Sequence, residues 1–197
     1  MLVLVFARPV AHRLAAGRNM PLTETNSQQP AAGEILATRL FIGADDFVVD
    51  VFLNGQRVPD TARQMTTEVY GAIGERTDIT VRERDWVVFN VVNNRLRWGG
   101  AYYFGVAGVN DDGWVGINSE ENEQWSVCED PGLAPRFIAE PDFLATNYAQ
   151  RIAEPWNGGD AMIRKNWAGE PIWGSPTNRN IWIKFSAKAL GAGGGKR

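Results

Sequence analysis

This sequence predicts an all-β fold: an antiparallel β-sandwich, with a non-globular N-terminal arm and a short Gly-rich C-terminal tail. Three observations carry that expectation. From about residue 36 to 190, apolar residues recur at every second position rather than with the 3.6-residue period of a helix. The runs are short and separated by turn chemistry, Asn-Gly and Asp-Gly above all. The composition, 44% hydrophobic and 22% charged over 197 residues, suits one domain with enough apolar mass for a core.

The elements follow in chain order. Residues 1–35 read as an arm. Its first 23 residues carry Arg8, Arg13 and Arg18 and no acid, and Arg8-Pro9 breaks a short apolar run. That is a poor secretory core and a closer match to a basic transit segment, with Met20 as an alternative start. Residues 24–34 are a polar linker. The domain spans 36–190. In FVVDVFLNG, Val49, Val51 and Leu53 share one face, Val48, Asp50 and Phe52 the other, and Asn54-Gly55 turns the chain. ITVRER (79–84) is a second run. WVVFNVVNN (86–94) is richer in apolar residues, as a central strand would be. AYYFGVAGV (101–109) is a fourth run, and Asn110-Asp111-Asp112-Gly113 turns it into WVGI. QWSVC and NIWIKFSA add two more. A helix is expected only over 143–152. Val49, Val51, Leu53, Val88 and Val91 are the expected core. Residues 191–197, GAGGGKR, form the tail.

Several chemistries are excluded. The only histidine, His12, lies in the arm, so no Ser-His or Cys-His pair is available to the sandwich. The single cysteine, Cys128, rules out an internal disulfide and reads as a small core hydrophobe. No phosphate loop, nucleophile elbow or histidine metal motif occurs. Net charge −3 gives no basic surplus for nucleic acid, and no apolar run is long enough for a membrane span. The expectation is therefore a non-enzyme, although a carboxylate pair acting as glycosidase acid and base stays compatible with the sequence.

Two features suggest contact with a partner. Between Arg97 and Arg136 there is no Lys or Arg, yet Asp111, Asp112, Glu120, Glu121, Glu123, Glu129 and Asp130 all fall there. Such a stretch is a solvated loop, a cation site or a docking face for a basic partner. Asn93, Asn94, Arg95, Arg97, Trp98, Tyr102 and Tyr103 follow a strand end and fall at one rim. An aromatic face there suits the apolar side of a sugar while Asn and Arg donate to its hydroxyls. The same residue types also anchor protein interfaces, so glycan and protein partners both stand.

The segment ADDFVVDVFLNGQRV (44–58) resembles the central hairpin of the galactose-binding-domain-like jelly rolls. The order of ITVRERDWVVFNVVNN, GGAYYFGVAGV and the aromatic stretch from Trp125 to IWIKF is similar to that family too, over roughly 38–187. The long acidic middle section and the lack of an appended catalytic domain depart from it. The resemblance implies a jelly roll and carbohydrate binding. On that reading Asp45 and Asp46 sit where the chain enters the sheet. Either one caps a loop while the other pairs with an Arg, or, with Asp111 and Asp112, they serve as calcium ligands. The function expected is a lectin-like recognition module with a glycan or protein partner. The alternative is a structural subunit of a large assembly, such as a viral particle or multi-subunit complex, with the jelly roll as scaffold.

Overall fold

The computed structural model describes residues 33–45, 47–66, 74–93, 103–113, 115–144, 147–152 and 169–187. Most of the arm and the whole tail lie outside them. In the described segments the period-two runs pair into ladders, and every pairing among them is antiparallel. The strands are β1 (Ile35–Ala37), β2 (Arg39–Asp45), β3 (Phe47–Leu53), β4 (Gln56–Arg57), β5 (Arg63–Thr66), β6 (Gly74–Thr77), β7 (Val81–Arg82) and β8 (Trp86–Val92). After them come β9 (Tyr103–Val109), β10 (Val115–Asn118), β11 (Trp125–Cys128), β12 (Asn147–Tyr148), β13 (Gln150–Arg151), β14 (Ile172–Trp173) and β15 (Asn180–Ser186). One sheet runs β13-β14-β9-β2-β6-β5, with β10 also on β9; the other runs β12-β11-β15-β8-β3-β4. Strands β1 and β7 make a separate pair. The all-β sandwich expected from the pattern is what forms.

Alternation explains the core. Val87, Phe89 and Val91 of β8 and Ile181, Ile183 and Phe185 of β15 point between the sheets. They meet Leu40, Ile42, Phe104 and Val106 from the other sheet. At the centre Phe89, Phe104, Phe185 and Trp125 form an aromatic cluster with ring centroids 4.9–6.4 Å apart.

Asn54 and Gly55 both have positive φ, 51° and 79°, so the β3–β4 hairpin closes in the mirror-image turn its dipeptide favours. Asp85 fixes that turn to the next one. Its carboxylate accepts from Asn54 Nδ2 at 2.7 Å and from the Arg82 amide at 2.8 Å.

Strand β3 departs from the expected phase. The register slips between Val48 and Asp50, so Val49 is a bulge residue, 39% exposed, while Val48 and Val51 both face the core. The cause lies in the other sheet. Arg63 of β5 pairs its guanidinium with the buried Glu75 through two 2.7 Å bonds, then donates to the Val48 and Val49 carbonyls at 3.0 Å. Those are carbonyls on the bulged stretch, and the arginine satisfies them while stitching the sheets together. Of the expected core, Val51, Val88 and Val91 are buried and Leu53 partly so.

The helix is also displaced. Residues 147–151 form the edge strands β12 and β13, and the helix α1 is Ala134–Ala139. Pro135 sits in its first turn, where a missing N–H costs nothing. The Asp130 carboxylate accepts the Gly132 amide just before it. Over 147–151 the pairing partners offered by β11 and β14 override local propensity.

Helix α1 covers the outer face of the second sheet, packing Ala134, Phe137 and Ile138 on Val88, Cys128 and Trp182. Cys128 is buried, as its sequence context suggests. Lys184 occupies the same face and is 1% exposed. Its Nζ donates to the carbonyls of Phe137 (3.0 Å), Glu140 (2.8 Å) and Phe143 (2.9 Å) and sits 4.1 Å from the Phe137 ring centroid. The lysine thereby closes the C-terminal end of α1, where carbonyls lack intrahelical donors.

Candidate functional site

The acidic stretch is built by two anchors. Ser119, buried, accepts the Val106 amide on its hydroxyl at 3.1 Å and donates that hydroxyl to the Glu170 carbonyl at 2.7 Å. Six residues on, Trp125 is fully buried and sends its indole N–H back to the Asn118 carbonyl at 2.8 Å. Between them the loop turns on Asn122, whose Oδ1 accepts the Gln124 amide at 2.9 Å and whose Nδ2 donates to Glu120 at 2.9 Å. With its ends fixed in the core and its middle closed on itself, the loop holds Glu120, Glu121 and Glu123 outward.

The facing wall comes from the chain that joins the sheet edges. Tyr148 of β12 pairs with Ser126, and Gln150 of β13 pairs with Trp173 in the other sheet. Ala149 between them is buried, and its amide bonds the Trp125 carbonyl at 2.9 Å. Crossing from one sheet to the other across a single buried residue leaves Asn147, Tyr148 and Gln150 exposed together.

The two walls enclose a shallow cleft of about 430 Å³ lined by Glu121, Asn122, Glu123, Asn147, Tyr148, Ala149 and Gln150. Tyr148 presents a ring that is 46% exposed. Among the described residues, no partner takes the side-chain polar atoms of Asn147, Tyr148, Gln150 or Glu123. Among the described residues, no lysine or arginine lines the cleft. The nearby Arg151 commits its guanidinium to Glu170 at 3.2 Å, and only its backbone amide reaches Glu121, at 3.4 Å. An aromatic face, uncommitted amides and two carboxylates make a surface that stacks on a ring and both gives and receives hydrogen bonds.

Two residues of the expected rim, Asn93 and Tyr103, are buried. Asn93 and Tyr103, which close β8 and open β9, are 3% and 2% exposed and belong to the wall of the sandwich rather than to a contact surface. Asn93 continues the inward phase of Val87, Phe89 and Val91, and its backbone N–H donates to the Arg179 carbonyl at 2.7 Å, whereas Tyr103 alternates with the inward Phe104 and is buried on the other face of β9. Asn94, Arg95, Arg97, Trp98 and Tyr102 lie outside the described residues. Within the second sheet the cleft loop enters β11 at the end opposite Asn93.

Among the described residues, the expected cation ligands do not converge. Asp45 ends β2 opposite Tyr103, and the chain enters the second sheet two residues later at Phe47; Asp46 is outside the described residues. Asp111 and Asp112 follow the other end of the same ladder, roughly 20 Å away at about 3.3 Å per residue. Asp111 accepts the Thr38 hydroxyl at 2.9 Å. Among the described residues, no three His, Cys, Asp or Glu side chains gather as a metal-binding group. Of the seven acids, Glu129 accepts the Ser175 amide and Asp130 the Gly132 amide, so these two are structural. Also among the described residues, no helix is long and apolar enough to cross a membrane.

Comparison with protein-family models, curated proteins and solved structures finds no match for this chain. The site must therefore be read from its own chemistry. Half of it was visible in the sequence as the acidic run Glu120-Glu121-Asn122-Glu123. The other half, Asn147 to Gln150, carried a polar-aromatic signal that the helical expectation absorbed.

Proposed function

We propose that this chain is a non-catalytic recognition module of the jelly-roll kind, similar to the galactose-binding-like domains, and that its ligand is a carbohydrate held in the Glu121–Gln150 cleft. The observation that carries this reading is the exposed Tyr148, flanked by the side-chain amides of Asn147 and Gln150, which have no partner among the described residues. A sugar ring offers one apolar face and a rim of hydroxyls, and this combination answers both. A protein-scaffold role is the alternative. Phe47 and Val49, both exposed apolar residues on β3, are what favour it.

Binding to a glycan array by the wild-type chain and by Tyr148→Ala tests the first reading. Loss of an aromatic anchor worth about 2 kcal/mol weakens binding roughly thirtyfold. The melting temperature should not change, because the ring is outside the core. An array on which the wild type retains nothing, or on which Tyr148→Ala binds normally, overturns the reading.

A further inference from the structure

We infer that the cleft selects a saccharide carrying free ammonium groups, an amino sugar rather than a neutral or acidic one. This rests on the carbohydrate reading above and specifies its ligand class.

The lining sets what a ligand must offer. An ionised carboxylate only accepts, so Glu121 and Glu123 require donors from the ligand. Neutral hydroxyls supply donors but leave the charge where it is. That charge is poorly compensated. Glu120, Glu121 and Glu123 fall within four residues. Glu120 receives the Asn122 amide group, Glu121 a single backbone N–H, and Glu123 nothing among the described residues. Among the described residues, the nearby cation Arg151 is already paired with Glu170. A ligand ammonium is the group that both donates and relieves this repulsion. Tyr148 adds to the preference, because the face of its ring attracts a cation as well as an apolar sugar face. Asn147 and Gln150, whose side-chain donors and acceptors have no partner among the described residues, are left to read the hydroxyls. Uronic acids and sulfated sugars would bring a third negative charge against two uncompensated ones.

The test uses the full chain in equilibrium binding to three length-matched oligosaccharides: oligoglucosamine, its N-acetylated form and oligogalacturonate. Each is run at low and high salt, with wild type, Glu121→Gln, Glu123→Gln and Tyr148→Ala. Oligoglucosamine should bind about tenfold tighter than the N-acetylated form, and the galacturonate should not bind. Either Glu→Gln change should reduce that preference several-fold while N-acetylated binding persists. Tyr148→Ala should weaken both, which separates cleft binding from general adsorption of a cation to an acidic protein. Equal binding of the free-amine and N-acetylated oligomers overturns the amino-sugar inference and leaves the carbohydrate reading intact. Preference for the uronate, or binding indifferent to Tyr148, also overturns it. If no saccharide binds but polylysine does, in a Glu123-dependent way, the carbohydrate reading itself fails and the cleft is a basic-peptide site.

Discussion

Lys184 and the Glu121–Glu123 loop each hold charge without a bonded ion of opposite sign, and they manage it in opposite ways. Lys184 is buried, and three backbone carbonyls take its three N–H donors. The loop carboxylates are exposed, and the Arg151 backbone N–H and the Asn122 side-chain amide take only part of their accepting capacity. Burial makes satisfaction obligatory, since an unpaired buried polar group costs on the order of 1–3 kcal/mol. Exposure makes it optional, because water fills the remaining sites until a ligand does. The lysine is thus committed to structure, and the glutamates are available for recognition. Each variant below tries to exchange those roles.

The largest effect should come from Lys184→Met. The substitution keeps the length of the side chain and its apolar stem but removes every donor from the Phe137, Glu140 and Phe143 carbonyls. Water can reach some of these, so the cost should be about 3 kcal/mol rather than the full sum of three orphaned acceptors. Urea denaturation measures it directly. A variant as stable as wild type would show that α1 is held by Phe137 and Ile138 packing alone, and the contrast with the loop would collapse.

A smaller effect follows from titration of the same residue. Burial lowers the Lys184 pKa from the ordinary 10.5 to about 8. Between those values the unfolded chain binds a proton that the folded chain does not. Stability from this site is therefore lost as pH falls from about 10.5 to about 8, and gained as pH rises through the same window. The carbonyls resist, because a neutral amine has two donors for three acceptors, so the gain should be on the order of 2 kcal/mol. Cys128 works against it: burial raises its thiol pKa, so its contribution falls with rising pH. Subtracting the Lys184→Met curve from the wild-type curve removes the cysteine. A flat difference from pH 8 to 10.5 would mean that Lys184 titrates as though solvated.

How much of this was readable in advance depends on where the cause of each feature lies. Asn54-Gly55 is a local cause, and the hairpin it makes is where the dipeptide puts it. The phase of β3 is not local. Arg63, from a strand of the other sheet, stabilises the bulge at Val49, and nothing in FVVDVFLNG announces it. Lys184 misleads for a related reason. In NIWIKFS the alternation assigns Ile181, Ile183 and Phe185 to the core and leaves Lys184 on the outer face, which is correct. That face is nevertheless buried, because α1, some 45 residues earlier in the chain, lies over it. The cleft combines both problems. Its acidic wall is an obvious run, but its aromatic wall changes sheets at Ala149, which destroys the period by which a strand is recognised.

The smallest effect on stability, and the sharpest on recognition, should come from charge changes around the cleft. Glu123→Gln removes a carboxylate with no partner among the described residues, so stability should move by less than about 0.5 kcal/mol. Arg151→Gln breaks an ion pair with Glu170 in which the side chains are 57% and 36% exposed, and such pairs contribute about 0–1 kcal/mol. Neither should shift the urea midpoint appreciably. Their effects on an ammonium-bearing ligand should nevertheless have opposite signs. Glu123→Gln takes an acceptor away and weakens binding, while Arg151→Gln frees the Glu170 carboxylate beside Glu121, whose amide already bonds it at 3.3 Å, and strengthens binding a few-fold. Because both effects are screened in water, they should shrink together as salt is raised. Calorimetric titration of oligoglucosamine into the two variants at two salt concentrations reads both signs in one experiment. If the two variants move affinity in the same direction, the loop carboxylates act through structure, as Lys184 does, and not on the ligand.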